Sequence, residues 1–456
     1  MTDGPLPPVA ILLAAGREEA FRPLLIQLIV IILAARVGAV IARWLRQPSV
    51  VGEIVAGLLL GPSAFGACAP ELFAAIFRSG AGGAAGGMME ASLTSFSQVG
   101  LVLLLFLIGI EFDFSHVRRQ GRLAAGISLA GIAAPFALGC GLAVVMTPRL
   151  GALGVPSAID SGSFALFMGT AMSITAIPIL GRILMEMGMQ HTPLGATVVA
   201  AAACDDAVGW TLLAAVSALA SGSFDPARIA TMTAAIVGFA ALCLFVVRPV
   251  LLPLLDRSVH GDTDAQHGPR LPLGVLSIVL ALLFVAAWIT SRIGIFAIFG
   301  GFLLGASISG SPRVREAVSG HLADFVTVFF LPIFFTYTGL RTDIGSLGTP
   351  EAWGWCAAVF AVAVLGKWGG CGLAAWLGGV PPGEASAVGV FMNTRALMEL
   401  IVINVGIDLG VIPPAVACML VLMAIGTTLM ATPLAAALLR GSPYEPTLVA
   451  RGFLRG

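Results

Sequence analysis

The sequence predicts an all-α membrane protein of about thirteen transmembrane helices, built as two halves that lie inverted to one another. Three observations predict it: the scarcity of charge, a succession of apolar runs of bilayer length, and an internal repeat offset by an odd number of those runs.

Of the 456 residues, 58% are hydrophobic and 11% charged. A soluble domain carries about a quarter charged residues, so this chain has too little polar surface to solvate a globule, which excludes a soluble multidomain enzyme. The formal net charge is zero and points to neither nucleic acid nor an acidic partner. The seven cysteines (Cys68, Cys140, Cys204, Cys243, Cys356, Cys371, Cys418) sit mostly in apolar runs without a CxxC pair. They read as small hydrophobes in helices, with no disulfide framework, metal-site spacing or cofactor expected. The opening MTDGPLPPVAILLAAGREEAFRP lacks a basic start followed by a cleavage site, so no cleaved signal peptide is expected.

Runs long enough to cross a hydrocarbon core of about 30 Å fall near 23–45, 48–65, 97–114, 123–146, 163–188, 194–221, 228–255, 271–293, 295–310, 322–340, 352–379, 384–406 and 416–439. The Gly/Ala-rich stretch 79–94 has no apolar run and is expected to be a loop, and 256–270 (DRSVHGDTDAQHGPR) is the strongly polar connector. The expected organisation is one membrane transporter domain, 1–440. It comprises repeats at about 23–221 and 271–439, a linking helix at 228–255 and a short cytoplasmic tail at 441–456 without a regulatory domain.

Arginine placement predicts orientation. One set of loops holds Arg43, Arg46, Arg118, Arg119, Arg122, Arg257, Arg270, Arg313, Arg315, Arg440, Arg451 and Arg455; the opposite set holds Arg78, Arg149, Arg228, Arg292 and Arg341, with Arg17 and Arg22 before the first span. Cytoplasmic loops collect Lys and Arg, which places the C-terminus in the cytoplasm and, with an odd span count, the N-terminus outside. Abundant Ala, Gly and Arg go with GC-rich bacterial genomes, so the expected location is the cytoplasmic (inner) membrane.

The repeat is read from VAGLLLGPSAFG (55–66) against FGGFLLGASISG (299–310). Gly57, Leu59, Leu60, Gly61 and Ser63 match Gly301, Leu303, Leu304, Gly305 and Ser307. GIEFDF (109–114) answers GLRTDI (339–344), pairing Gly109 with Gly339 and Asp113 with Asp343. The offset is seven spans, and an odd offset turns one half over in the bilayer, the signature of many secondary transporters.

Ionisable residues at bilayer depth are costly and mark function. Asp205 and Asp206 lie in LGATVVAAAACDDAVGWTLLAAV, flanked by apolar residues on both sides. Adjacent helical side chains diverge by about 100°, so the two acids face different partners. A carboxylate in a dry site holds a proton or a cation but not both, and that competition is the minimum an exchanger needs. Lys367, the only lysine in the chain, lies inside the eleventh run. A buried ammonium needs a carboxylate partner, and Asp205 is the first choice over snorkelling to an interface.

Spans five and twelve correspond under the repeat, and both are interrupted. MSITAIP (172–178) carries Pro178, which donates no helical hydrogen bond; FMNTRALMEL (391–400) carries Asn393, Thr394, Arg395 and Glu399 in apolar surroundings. Corresponding breaks point to a midplane site, with freed carbonyls and Ser173 or Thr175 as cation ligands. Arg395 and Glu399, spaced i and i+4, form a candidate structural pair or take part in the site. Glu53 is an interfacial or gating candidate, and Arg182 with Glu186 reads as a helix-end pair.

SITAIPILGRIL (173–184) and NTRALMELIVINVGIDLGVI (393–412) resemble the second family of the monovalent cation/proton antiporter superfamily, and most of all its plant and fungal cation/proton exchanger branch with its bacterial relatives. The resemblance covers nearly the whole membrane chain. It implies a thirteen-span homodimer with a dimerisation domain, a moving core domain working as an elevator, and two broken helices crossing near the ion site. It also implies that Asp206 is the essential ion-binding acid and that Asp205 stands at the position that is Asp in electrogenic members. Lys367 would pair with that first acid, and Thr175 would be the broken-helix threonine. Several bacterial relatives carry an acid where this chain has Leu397, with Glu399 two residues on, which leaves the role of span twelve open. The expected activity is exchange of Na+ or K+ for protons, electrogenic, with no cofactor and no metal beyond the transported cation. A same-fold transporter of another solute such as an organic anion would want basic groups at its site. An intramembrane aspartyl protease would want acids facing each other from different helices, and no GxGD motif is present.

Overall fold

A computed structural model of the chain describes residues 8–77, 84–111, 114–149, 160–190, 192–220, 226–259, 269, 271–293, 297–395 and 397–454. All regular structure among them is helical: α1 (Pro8–Trp44), α2 (Ser49–Leu59), α3 (Phe65–Cys68), α4 (Pro70–Phe77), α5 (Ala84–Glu111), α6 (Phe114–Met146), α7 (Ser161–Ser173), α8 (Ile177–Glu186), α9 (Pro193–Ala220) and α10 (Pro226–Leu242). There follow α11 (Arg248–Ser258), α12 (Leu273–Ile293), α13 (Ala297–Ile308), α14 (Pro312–Phe325), α15 (Leu331–Leu340), α16 (Pro350–Val364), α17 (Gly370–Leu377), α18 (Pro382–Met392), α19 (Leu397–Asp408), α20 (Pro414–Leu438) and α21 (Glu445–Ala450). Single π-helical turns at Cys243–Val247, Val326–Phe330 and Leu365–Gly369 join α10 to α11, α14 to α15 and α16 to α17.

Among the described residues, nine helical stretches are long and apolar enough to cross a membrane, and α2 and α13 are shorter apolar helices. The expectation of thirteen spans counts these two together with the broken pairs α7/α8 and α18/α19. The outer face of α1 shows why such a chain needs a bilayer. Leu25, Ile29, Leu33, Val37, Ile41 and Trp44 are exposed along it, while Leu24, Ile31, Ala35, Ala39 and Ala42 turn inward.

Small residues set how closely the helices approach. The glycines that carry the repeat do the same work twice. A Cβ on Gly57 would meet the Phe335 carbonyl carbon at 2.6 Å, and one on Gly61 or Gly339 would collide with the facing backbone, where α2 crosses α15. Gly301 and Gly305 of α13 likewise face the Val102 and Phe106 carbonyls of α5, and Gly109 faces Phe302. Asp113, the other residue of that match, lies outside the described residues, as do Arg78, Arg270 and Arg455 and most of the 256–270 connector. A valine in place of Gly57 is expected to destabilise by roughly 1–3 kcal/mol by overpacking and to lower the unfolding temperature in detergent. Gly238→Val, with nothing within 4 Å of its Cβ, is expected to leave that temperature unchanged.

The helices form two packed groups. In one, α1 packs on α2 and α15, and α5 on α13; in the other, α6 packs on α7, α9, α16 and α17, and α18 on α17 and α20. The expected loop at 79–94 is corrected in part: α5 already begins at Ala84. The absence of an apolar run argues against a span, not against a helix, and Ala, Met and Glu are strong helix formers. After residue 440 the chain forms α21, with Leu448 buried.

Candidate cation site at two broken helices

Helix α7 stops at Ser173. Ile174 (φ −80°, ψ 140°) and Ala176 (φ −101°, ψ 91°) are extended, and α8 restarts with Pro178 in its first turn, where the missing N–H costs nothing. In the other half α18 stops at Met392, and α19 begins at Leu397. The two breaks meet. The Ala176 backbone N–H donates to the Thr394 carbonyl oxygen at 3.1 Å. The Thr175 hydroxyl makes a forked bond to the Met392 carbonyl oxygen at 3.0 Å and to Asp205 Oδ2 at 2.8 Å.

Lys367 arrives from α16/α17. Its Nζ donates to Asp205 Oδ2 at 2.5 Å and also to the Ser173 carbonyl oxygen. The lysine lies in a π-helical turn, a local widening often found at functional sites. Gly131 makes room for the neighbouring Cys371: a Cβ there would collide with the Cys371 Sγ, while standing at an ordinary 3.7 Å from Lys367 Nζ. Asp205 therefore has Oδ2 held by the lysine and Thr175, while Oδ1 has no hydrogen-bond partner among the described residues. Asp206 is 2% exposed, and neither of its oxygens has such a partner. The adjacent acids do face different surroundings, one neutralised and one bare. A buried carboxylate without donors is expensive, a cost that a proton or a cation at Asp206 would relieve.

Arg395 serves the framework. Its guanidinium donates to the carbonyl oxygens of Ala171 at 3.1 Å and Met172 at 2.5 Å, the unsatisfied C-terminal end of α7. A cation there also complements the negative end of the helix dipole. Arg395 Nε donates to Asn393 Oδ1 at 3.4 Å, and Arg395 Nη1 lies 3.6 Å from Glu399 Oε2. The Arg395 backbone is clamped by Thr428, whose hydroxyl accepts from its N–H at 3.2 Å and donates to its carbonyl. Ser173, Thr175, Asp205, Lys367, Asn393, Arg395 and Glu399 are thus gathered around the breaks, whereas Glu53, Arg182 and Glu186 meet at Ser49 instead. Ser173 differs in how it takes part: its hydroxyl donates back to the Thr170 carbonyl at 2.9 Å, and its carbonyl meets the lysine. Thr428, the Ala171 and Met172 carbonyls and the π-turn were not legible as part of this site. Among the described residues no cluster of three or more His, Cys, Asp or Glu has the makings of a metal site.

An all-helical membrane bundle with two interrupted helices crossing beside a bare buried acid defines a transmembrane ion exchanger rather than an enzyme. The chain belongs to the sodium/hydrogen exchanger family: residues 29–441 match the family described as the transmembrane sodium/hydrogen exchanger. It is 38% identical over 415 residues to the Na(+)/H(+) antiporter NhaS4 of Synechocystis, covering 90% of this chain and 96% of that one. It is 34% identical to Cation/H(+) antiporter 17 of Arabidopsis thaliana and 29% identical to the K(+)/H(+) antiporter 1 of Saccharomyces cerevisiae, over 94% and 86% of its own length. It spans about half the length of such plant and yeast relatives, 49% and 43% in these two. The fold is that of the sodium proton antiporter MjNhaP1 from Methanocaldococcus jannaschii, with a TM-score of 0.60, 16% identity, and coverage of 96% of this chain and all of that one.

Proposed function

We propose that the chain exchanges a monovalent cation, Na+ or K+, for protons, and that Asp206 is the group for which the two compete. The observation that carries this reading is the bare Asp206 carboxylate beside a neutralised Asp205–Lys367 pair at the crossing of two broken helices. Asp206 takes the proton or the cation. Asp205 joins it as a ligand when the cation draws it from Lys367, with Thr175, Asn393 and the carbonyls of the breaks, Ser173 among them, completing an oxygen-lined site. Arg395 and Glu399 keep the breaks in place. The group containing α6, α7, α9, α16–α18 and α20 moves as a core against the scaffold of α1, α2, α5 and α12–α15 in a homodimer. The chain lies in the cytoplasmic (inner) membrane with its N-terminus outside and its C-terminus in the cytoplasm, as one domain, 1–440, of two repeats and a linking helix. The acid-dominated site supports this over a transporter of organic anions.

Purified protein in vesicles loaded with a pH-sensitive dye tests the reading: addition of Na+, K+ or Li+ should drive proton efflux, and the ranking of the three gives selectivity. No response to any of them would overturn it. Because ligands must be deprotonated to bind a cation, lowering pH should raise the half-saturating cation concentration and leave the maximal rate recoverable at high cation. Acid that lowers the maximal rate at constant half-saturation would instead mean a separate pH sensor.

A further inference from the structure

The crossing lies within the second helix group, and a separate set of charged residues bridges that group to the first. Helix α2 belongs to one group, and α8, the half-helix that leads away from Thr175, packs mainly on α9 of the other. Helix α2 begins after Pro48 with no side chain of its own to cap it. Its cap comes from α8: Glu186 accepts from the Ser49 backbone N–H at 3.1 Å and from the Ser49 hydroxyl at 2.8 Å. A carboxylate at a helix N-terminus meets both orphan donors and the positive end of the dipole. One turn further on, Glu53, 4% exposed, faces Arg182 of α8, with Nη2 to Oε1 at 3.3 Å and Nη1 to Oε2 at 3.4 Å. Arg182 also donates to the Ser49 hydroxyl at 3.2 Å and lies 3.6 Å from Glu186. Among the described residues, Glu186 of α8 and Arg36 of α1 are also within electrostatic reach of Glu53.

The far end of the second broken helix is tied more weakly. Arg341 of α15 contacts Asp408 of α19 at 2.6 Å and Asn404 at 3.3 Å, but Asp408 is 62% exposed. Exposed pairs contribute little, whereas parting Glu53 (4% exposed) from Arg182 (25% exposed) strands a buried carboxylate. The α2–α8 contact therefore dominates.

We infer that Glu53, Arg182 and Glu186 form a latch between scaffold and core that closes the seam at the Ser49 end of the molecule and positions α8, and with it Thr175, for the outward-facing half of the cycle. The inference rests on the reading that the core moves against the scaffold. In that motion α8 cannot leave α2 until Glu53 and the α2 N-terminus lose their partners, so the latch sets how often the site opens toward the Ser49 end, the proposed cytoplasmic face. Glu53 and Arg182 are positioning residues; neither touches the cation.

The test uses Glu53→Gln, Arg182→Gln and the double variant Glu53→Gln/Arg182→Gln, in everted and right-side-out membrane vesicles. Each single variant should lower the half-saturating cation concentration on the cytoplasmic face and raise it on the outer face, by roughly 5-fold or more, the usual span of a coupling between two states. The double variant should shift both values no further than the larger single shift, because the two residues act through one contact. A loss of packing alone would not move the two faces in opposite directions. Hydrogen exchange of peptides covering 49–59 and 177–186 reads the latch without transport and should quicken in both single variants. Half-saturation within about 2-fold of wild type on both faces, shifts of the same sign on the two faces, or single shifts that simply add in the double variant, would overturn the latch. So would unchanged hydrogen exchange in both peptides. A wild-type protein that exchanges no cation, with the peptides still responding, would instead overturn the exchange reading and leave the latch standing.

Discussion

Asp206→Asn is expected to reduce cation-driven proton exchange to the level of protein-free vesicles and to leave the protein folded. The amide has the shape of the acid but can neither release a proton nor offer a negative charge to a cation. Asp206 makes no hydrogen bond or ion pair among the described residues, so the substitution breaks no structural contact. It also removes a carboxylate from a site where charge without a partner is costly. The unfolding temperature in detergent should therefore be equal to that of wild type or higher, while the rise in that temperature on adding the transported cation should vanish. The pairing of lost exchange with unimpaired folding separates a substrate-binding acid from a structural one. Substantial exchange by the purified variant, or a lower unfolding temperature, would remove Asp206 from the centre of the mechanism.

What the sequence shows of this site follows from local chemistry. Pro178 donates no helical hydrogen bond and disfavours helix just before it, and Asn393, Thr394 and Arg395 stand out because polar residues are rare in apolar runs. Lys367 is legible because a single lysine in a membrane span must find an acid, and the structure has it on Asp205. The matched glycines of the repeat are legible because close helix crossings admit no Cβ, and they mark the α2–α15 and α5–α13 crossings. The rest depends on tertiary placement. The i, i+4 spacing predicts Arg395 with Glu399, and the pair is there at 3.6 Å. The same guanidinium also spans 223 residues of sequence to cap α7 through Met172, and no periodicity encodes that. Ser173 looked like a hydroxyl ligand, but a serine at the end of a helix readily turns its hydroxyl back onto the preceding turn, as it does onto Thr170. Arg182 and Glu186 read as a local pair because the sequence cannot say that Ser49 and Glu53 pack against them.

Asp205→Asn is expected to convert electrogenic exchange into neutral exchange. In the proposed cycle the cation displaces a proton from Asp206 and draws Asp205 away from Lys367. A buried ammonium that has lost its carboxylate is strongly unfavourable, with the cost of breaking such a pair on the order of 3–5 kcal/mol. The lysine relieves it by giving up its proton, so two protons leave for one cation and a net charge crosses the membrane. With Asn at 205 the lysine has no carboxylate to leave, and one proton at Asp206 exchanges for one cation. The Ser173 carbonyl still receives Lys367 Nζ, and Thr175 keeps its bond to the Met392 carbonyl, so the breaks retain part of their support. The measurement imposes a potassium-diffusion potential on vesicles and follows Na+-driven proton flux. The wild-type rate and end-point should follow the imposed potential, and those of Asp205→Asn should not. Wild-type exchange indifferent to the potential would mean that the Asp205–Lys367 pair stays closed throughout the cycle and that Asp206 alone carries the coupling.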